Sequence, residues 1–399
     1  MNAPIARLSA STRSGTMSTS TTGFPWSDGD MLYAADLNAA FNMAGVGNFL
    51  PISGGQLTGP LYLYSNPTVG TGAATKQYVD TAIGGTLAAP GAANIGRNLL
   101  HNPLFNVAQR GAGAWSAGPV YTLDRWQLTA FNDAASVNQQ PLSDSQRAAI
   151  GDEAAAVCLY NVFTGNAAAG AYTVIQQKME GVRRFGNKTA TVSFWAFAAS
   201  GTPKLGVSID QFFGNGGSPS AAVFGAGVAV TLSGTATRYS LTFTIPTTSG
   251  KTLGTSGDDW TGLSIWYSSG VTNAFRAGSI GVQAASIALW GVQLEIGGVA
   301  TPLEKPDPRY DLANCQRFYQ TSAATVYGYS SAGGQYGYFL PFPTVMRASP
   351  TIVFYVPSYV NASGMAANAP APSGYNFYVL ATAAGALIAS ANFTASADL

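Results

Sequence analysis

Charge is what this chain has least of. Of its 399 residues, 9% are Asp, Glu, Lys or Arg, against about a quarter in an average globular protein. The formal net charge is +1. No block of one sign exists to attract nucleic acid or a polybasic partner. Histidine is nearly absent: His101 is the single one. A Ser-His-Asp triad would have to be built on it, and a hydrogen-bonding or core role suits it better. No HExxH or other metal-ligand spacing occurs. Cysteine is scarce too. Cys158 and Cys315 are far apart and form no CxxC, so they imply neither a zinc site nor a disulfide framework. They read as two buried thiols. Arg7 and Arg13 near the start are followed by no apolar core, unlike a secretory leader. The most membrane-like stretch, 378–393, is diluted by Thr, Ser, Asn and Gly. It is shorter than the roughly 20 residues a membrane helix needs and reads as strand and turn.

What the chain has in quantity is glycine, at 47 residues, with 19 Tyr and 20 Phe. Gly with Ser, Thr and Asn supplies tight turns, and aromatic residues favour strands. The expected fold class is therefore mainly β. Period-two alternation marks the strands. Tyr239, Leu241, Phe243 and Ile245 alternate with polar residues. Val192, Phe194 and Ala196 share one face, as do Leu263, Ile265 and Tyr267, and Ala288, Trp290, Val292 and Leu294. Strands of this kind between Gly-rich turns predict an antiparallel β-sandwich, a jelly roll, over 97–308. Short helices are expected at 144–150, with Asp144 as cap and Gly151 after it, and from Asp307-Pro308 onward. The second helix would turn Leu312, Cys315 and Phe318 or Tyr319 inward. A smaller β domain is expected over 309–399, with strands at 326–329, 336–340, 351–356 and 377–380. Residues 358–374 read as loops. From 320 on there are eight tyrosines and no lysine.

The first 96 residues differ in kind. Residues 1–23 are rich in Ser and Thr. The stretch 32–43 has helical spacing, with Tyr33, Leu37 and Phe41 on one side. Over 51–83, Leu57, Leu61 and Leu63 alternate with turn residues, and a short helix would carry Tyr78, Val79 and Ile83. Neither piece can bury its own apolar side, so winding several chains together is the natural way to cover it. A Gly/Ala/Pro linker closes the segment at 84–96.

Two motif sets carry a resemblance. Gly54-Gly55-Gln56-Leu57-Thr58-Gly59-Pro60-Leu61, followed by Ala73-Ala74-Thr75-Lys76-Gln77-Tyr78-Val79-Asp80, resembles the shaft repeat of phage tail fibres. Arg97-Asn98-Leu99-Leu100-His101-Asn102-Pro103, Gln109-Arg110-Gly111 and Leu123-Asp124-Arg125-Trp126 resemble the start of a carbohydrate-binding-like jelly roll in phage and prophage fibres. Trp290-Gly291-Val292-Gln293-Leu294-Glu295 and Cys315-Gln316-Arg317-Phe318-Tyr319 are similar to its end. The last 80 residues match in style only, through Met346-Arg347-Ala348-Ser349-Pro350-Thr351. The resemblance implies an elongated homotrimeric fibre with short N-terminal helices, a thin intertwined shaft, a jelly roll and a smaller C-terminal β domain. Residues 1–50 would hold the flexible N-terminus and the virion attachment, through Trp26, Tyr33, Leu37 and Phe41. Residues 51–96 would be the trimeric shaft and linker, 97–308 the jelly roll, and 309–399 the tip. The implied partners are the chain itself, a tail or baseplate protein, and a host surface glycan or protein, with no nucleic acid and no membrane insertion. The implied location is the virion, as a tail fibre, and the host surface when bound.

Candidate binding residues fall into two groups. Trp260 could stack on a pyranose ring while Asp258 or Asp259 accepts hydroxyl hydrogen bonds; a turn role for the two carboxylates is the plainer reading. The tip tyrosines Tyr327, Tyr329, Tyr336, Tyr338, Tyr359 and Tyr375 offer flat rings with polar tips. The same rings could fill a core or a trimer interface. Asp124 and Arg125 are expected to pair at a corner with Trp126 in the core. Gly250-Lys251-Thr252 lacks the first glycine of a phosphate loop and reads as a hairpin turn. Glu295 alone does not make a calcium site, so no metal and no cofactor is expected. The leading expectation is adhesion without catalysis. A polysaccharide depolymerase fibre and a head or collar fibre are the alternatives.

Overall fold

The computed structural model describes residues 96–116 and 118–399. The chain divides into Met1–Gly85 and Thr86–Leu399, and the described residues all belong to the second unit. The expectations for Trp26, Tyr33, Leu37, Phe41, Leu57, Leu61, Leu63, Tyr78, Val79 and Ile83 lie outside them.

The described chain is mainly β and antiparallel throughout. In chain order the first sandwich runs β1 (Gly113–Ser116), β2 (Val120–Tyr121), β3 (Gln127–Phe131), β4 (Ala135–Pro141), helix α1 (Asp144–Ile150), β5 (Val157–Phe163), β6 (Tyr172–Glu180), β7 (Thr189–Ala198), β8 (Lys204–Phe212), β9 (Val223–Phe224), β10 (Val228–Thr231), β11 (Thr237–Thr244), β12 (Trp260–Ser269) and β13 (Ala285–Ile296). One sheet has the order β1-β4-β5-β13-β7-β11, the other β10-β8-β12-β6-β3-β2 with β9 on β8. From β5 to β8, and again from β11 to β13, the chain crosses between sheets at each step. That winding is the jelly roll. β11 and β12 lie in different sheets, so the Gly250-Lys251-Thr252 stretch belongs to a crossover loop and not to a hairpin.

The alternation read from the sequence has its cause in the space between the sheets. Val192, Phe194, Phe243, Leu263, Ile265 and Tyr267 all point there. β13 breaks the expected pattern. Its register shifts between Trp290 and Gln293, where Gly291 sits at φ 61. One extra residue flips the side-chain parity. Ile287 and Leu289 point inward before the bulge, and Val292 and Leu294 after it. Ala288 and Trp290 pack instead on the opposite side of the sheet, beneath Leu142, Ile150 and Leu303.

Helix α1 starts one residue earlier in its capping than expected. Ser143, not Asp144, is the cap, with a reciprocal capping box to Gln146, and Gly151 closes it at φ 73. The linking helix α2 (Pro308–Gln316) has Asp307 as cap and Pro at its start. It turns Asp311 and Cys315 inward, while Leu312 stays 37% exposed. Asp311 accepts from the Asn102 backbone at 2.8 Å, so the inward position is held by a polar anchor where periodicity favours a leucine.

Six strands form the C-terminal sandwich: β14 (Tyr319–Ser330), β15 (Gln335–Pro341), β16 (Thr351–Val360), β17 (Ala362–Ala371), β18 (Gly374–Ala381) and β19 (Gly385–Ser396). Its sheets are β14-β19-β16 and β15-β18-β17, closed over Val326, Tyr375, Phe377, Leu387 and Phe393. Residues 358–371, expected as loops, complete β16 and form β17. Its Ala, Asn and Pro give a weak strand signal, and pairing with β18 across two register shifts holds it in place. The stretch 378–393 is strand, turn and strand. Among the described residues no helix is long and apolar enough to cross a membrane.

Candidate functional site

The two outer faces of the first sandwich differ. That of the β4-β5-β13-β7 sheet is covered by α1 and the Leu303 segment, which bury Trp290 and Phe197. On the other sheet only one end is covered, where Ala277 and Ile280 close over Trp266. Of the remainder, Ser208, Asp210 and Ser264 are buried, the side around Gln127, Gln176, Lys178 and Trp260 is partly exposed, and strand register fixes what it presents. One row runs Tyr121, Gln127, Gln176, Ser264, Ser208 across five strands. The next runs Lys178, Gly262, Asp210, Phe224. The third is Glu180, Trp260, Phe212.

The third row is an aromatic platform. Trp260 and Phe212 have ring centroids 5.4 Å apart at 30°. The indole lies over Gly262, where a Cβ would meet the ring at 2.7 Å. Glycine here makes room for the ring to lie along the sheet. The Lys178 ammonium stands 5.3 Å from the Trp260 ring. Within these rows a network of buried side chains fixes the polar positions. Gln176 donates to Ser264 at 2.9 Å, and Ser264 to Asp210 at 3.0 Å. Arg276 pairs with Asp210 at 2.8 Å and covers the Phe224 ring at 4.1 Å. Gln127, Gln176, Lys178, Glu180, Phe212 and Trp260 remain partly exposed. Burial and the nearby Arg125 charge lower the Lys178 pKa, opposed by Asp398. Lys178 and Tyr121 both donate to the Leu399 carbonyl, at 2.8 and 2.6 Å, which closes that end of the face.

Chemically this surface offers a flat ring beside donors and acceptors. Its carboxylates are engaged: Asp210 by Arg276 and Ser264, and Glu180 by Arg317 at 2.8 Å. An acid/base pair flanking a bond needs two carboxyl groups facing one another, and this face presents no such pair among the described residues.

Sequence reasoning named Trp260 but missed Phe212, Gln176, Lys178 and Gln127. Their sole signal was strand parity, readable once the partners of β12 are known. Asp258 and Asp259 do not join Trp260 on the face. Asp258 accepts from the Asn215 backbone at 2.8 Å and from its side chain. Slight burial raises its pKa, and the Asn215 hydrogen bonds more than offset this, so it titrates below the usual carboxylate range. Asp259 accepts from the Val182 backbone at 2.8 Å. Both carboxylates staple loops.

The tip tyrosines separate into three settings. Tyr327 and Tyr329 point outward from β14, 69% and 75% exposed. Tyr336 and Tyr338 share a face with buried Val379 and Phe377 on the other sheet. The Tyr338 ring meets Phe377 edge-on, and its hydroxyl donates to Thr325 at 3.0 Å. Tyr359 lies opposite buried Ala389. Tyr375 is wholly enclosed, and burial pushes its phenol pKa up. As a ligand contact Tyr375 is therefore withdrawn: its ring fills the tip core.

Trp126 is in the core, its indole N–H donating to Asn102 at 3.1 Å. Asp124 and Arg125 do not pair with each other. Asp124 is held by Gln109 and lies 3.8 Å from Arg110, whereas Arg125 faces Asp398 at 3.7 Å. Glu295 is taken by Thr301, through its backbone at 2.8 Å and its hydroxyl at 2.7 Å. His101 borders a cavity of about 220 Å³ with Arg184, Arg317 and Asp311. Its backbone pairs with the Gln177 side chain at 2.8 and 2.9 Å. Burial, then Arg125, Arg317 and Arg184, lower its pKa to about 3, so the ring is neutral. Its Nδ1 has no hydrogen-bond partner among the described residues, so no triad is assembled on it. Cys158 and Cys315 are free and buried, and burial pushes the Cys158 thiol up to about 12.

No protein-family model matches the chain, and no curated protein matches it. Solved structures are similar in part. The enzymatically active domain of Bacteriophage CBA120 tailspike protein 4 is 13% identical over 50% of this chain and 21% of its own, at a TM-score of 0.29. This chain thus spans about a fifth of that tailspike's length. A Clostridium thermocellum family 11 carbohydrate-binding module, in complex with a mixed-linked tetrasaccharide, is 10% identical over 48% of this chain and 99% of its own, at 0.29. The CBM22-1 xylan-binding domain from Paenibacillus barcinonensis Xyn10C is 12% identical over 52% and 100%, at 0.28. At such scores nothing about this chain's ligand follows from the likeness.

Proposed function

We propose that this chain is a glycan-binding adhesion protein, the trimeric tail fibre of a bacterial virus, acting by multivalent contact without covalent chemistry. The observation that carries the binding part is the Trp260–Phe212 platform beside Gln127, Gln176 and Lys178. A pyranose presents an apolar C–H face and a rim of hydroxyls. An indole lying along the sheet takes the first, and the Lys178 ammonium one row away and the Gln176 and Gln127 amides two rows away take the second. The fibre part is supported by the sequence resemblance over residues 54–80 and at the two ends of the jelly roll. Three copies on one axis would convert weak sites into useful avidity.

The test is binding of the full chain to host surface polysaccharide, by titration calorimetry, with Trp260→Ala beside it. Loss of the platform should weaken binding at least ten-fold, about 1.4 kcal/mol, with the melting temperature little changed. Equal binding by the variant would refute the site. A reducing-end assay on the same mixtures separates adhesion from depolymerase activity, since steady release of sugar ends would overturn the non-covalent reading.

A further inference from the structure

We infer that the cavity walled by His101, Arg125, Arg184 and Arg317 is a second binding site, one that takes a single acidic sugar residue. Its guanidinium groups come from three separate places. Arg125 lies in the turn before β3, Arg184 ends the single 3-10 turn after β6, and Arg317 closes α2. Glu180 is the one residue the cavity shares with the three rows of the Trp260 face. The inference therefore goes beyond the platform and does not depend on it.

Polar groups left without partners mark the cavity as a place for a ligand. Arg125 is 2% exposed. One terminal nitrogen donates to the Lys178 carbonyl and the other stands 3.7 Å from Asp398, but its Nε has no hydrogen-bond partner among the described residues. His101 is half-buried, and its enclosed Nδ1 is equally bare. Arg184 stands exposed with no carboxylate among the described residues, and the half-buried Asn314 amide has no partner among them. Enclosed polar groups are nearly always paired, by protein, water or ligand. The volume of about 220 Å³ suits one pyranose ring. It falls short of the ~300–1,000 Å³ of sites for larger ligands, so a sugar enters as a chain end.

The acidic class follows from which groups are already engaged. The carboxylates on the wall have donors: Glu180 has Arg317 at 2.8 Å, Glu304 has the backbone N–H groups of Gly96 and Asn98, and Asp311 has that of Asn102 at 2.8 Å. What remains is rich in donors, because guanidinium N–H groups cannot accept. A ligand must therefore bring acceptors, and a carboxylate matches a guanidinium with two parallel hydrogen bonds. Burial, then Arg125, Arg317 and Arg184, disfavour a proton on His101, so the space beside that ring is electropositive. In this arrangement Arg184 at the mouth takes the carboxylate, while the Asn314 amide and His101 take ring hydroxyls.

The test uses the full chain labelled with carbon-13 at histidine Cε1. His101 is the single histidine, so one signal reports from the cavity wall. Sodium glucuronate should shift that signal to saturation, and Arg184→Gln should weaken the response about ten-fold, as loss of a charge-assisted hydrogen bond does. Glucose and sodium acetate, at matched concentration, pH and ionic strength, should each shift it little. No saturable shift with glucuronate, or an unchanged response in Arg184→Gln, would overturn the site. A response to glucose equal to that of glucuronate would overturn the acidic class, and an equal response to acetate would leave an adventitious ion only. Trp260→Ala should leave the His101 response unchanged, so failure of the platform is read separately. A parallel loss in that variant would overturn the claim of a second site.

Discussion

At the scale of single residues, His101 makes a pH prediction of definite sign. Its folded pKa of about 3 lies below the ordinary 6.5. As pH falls through 6.5 the unfolded chain takes the proton first, so stability is lost between about 6.5 and 3. Asp311, raised by burial to about 6 from 3.8, opposes it: the folded chain protonates first, and stability is gained as pH falls from 6 toward 3.8. The two cancel in part in the wild type. The difference between wild type and His101→Gln isolates the histidine and should fall by on the order of 2 kcal/mol between pH 6.5 and 4.5. Urea melts at several pH values measure it, and a flat difference would contradict a buried neutral imidazole. Gly262 allows a second residue-level expectation. A methyl group there meets the Trp260 ring at 2.7 Å, so Gly262→Ala should tilt the indole and weaken glycan binding several-fold, while unfolding remains cooperative. The choice between ligand contact and turn at Asp258 was open in the sequence because nothing local reveals Asn215, 43 positions away, as its partner.

At the scale of elements, strands with strict alternation were legible and interruptions were not. β7, β11 and β12 point the residues inward that their period-two pattern named. In β13 the glycine of Trp290-Gly291-Val292 looked like one more small residue in a regular strand. Its positive φ shifts the parity, and only the packing of Trp290 against Trp195, 5.3 Å apart, shows why a bulge is useful there. Gly291→Ala should therefore cost about 1–2 kcal/mol in denaturant unfolding, since its Cβ would also sit 3.0 Å from Leu303 and Trp195. A neutral result would mean that the strand can re-register without loss. β17 was hidden for another reason. Its Ala-, Asn- and Pro-containing sequence has low strand propensity, and it is a strand because β18 pairs with it. The ring platform was half legible. Trp260 stood out as an aromatic, but Phe212 and Lys178 come from strands distant in sequence.

For the molecule as a whole, the junction between the two sandwiches rests on the last residues. Asp398 pairs with Arg110 and faces Arg125 at 3.7 Å, and Arg125 lies over the Phe318 ring at 3.3 Å. Arg347 donates to Ala397 at 2.7 Å, and Gln109 to Tyr319 at 2.9 Å. Removing one partner leaves a buried charge uncompensated, at a cost on the order of 3 kcal/mol. Asp398→Ala should therefore loosen the tip from the jelly roll, and calorimetry should show a tip transition separating below the main one. A single unshifted transition would mean that Phe318 packing alone joins them. Beyond the junction, the proposed adhesion depends on the platform facing solvent at the side of the jelly roll. The central claim is that a host glycan rests on Trp260. The chain has seven tryptophans, and Trp126, Trp266 and Trp290 are buried. Incorporating 5-fluorotryptophan and assigning the Trp260 signal by Trp260→Phe allows the claim to be read by fluorine NMR during titration with host surface polysaccharide. The Trp260 resonance should shift with added glycan while the buried indoles stay fixed. An unmoved Trp260 signal at glycan concentrations that saturate binding would contradict the account.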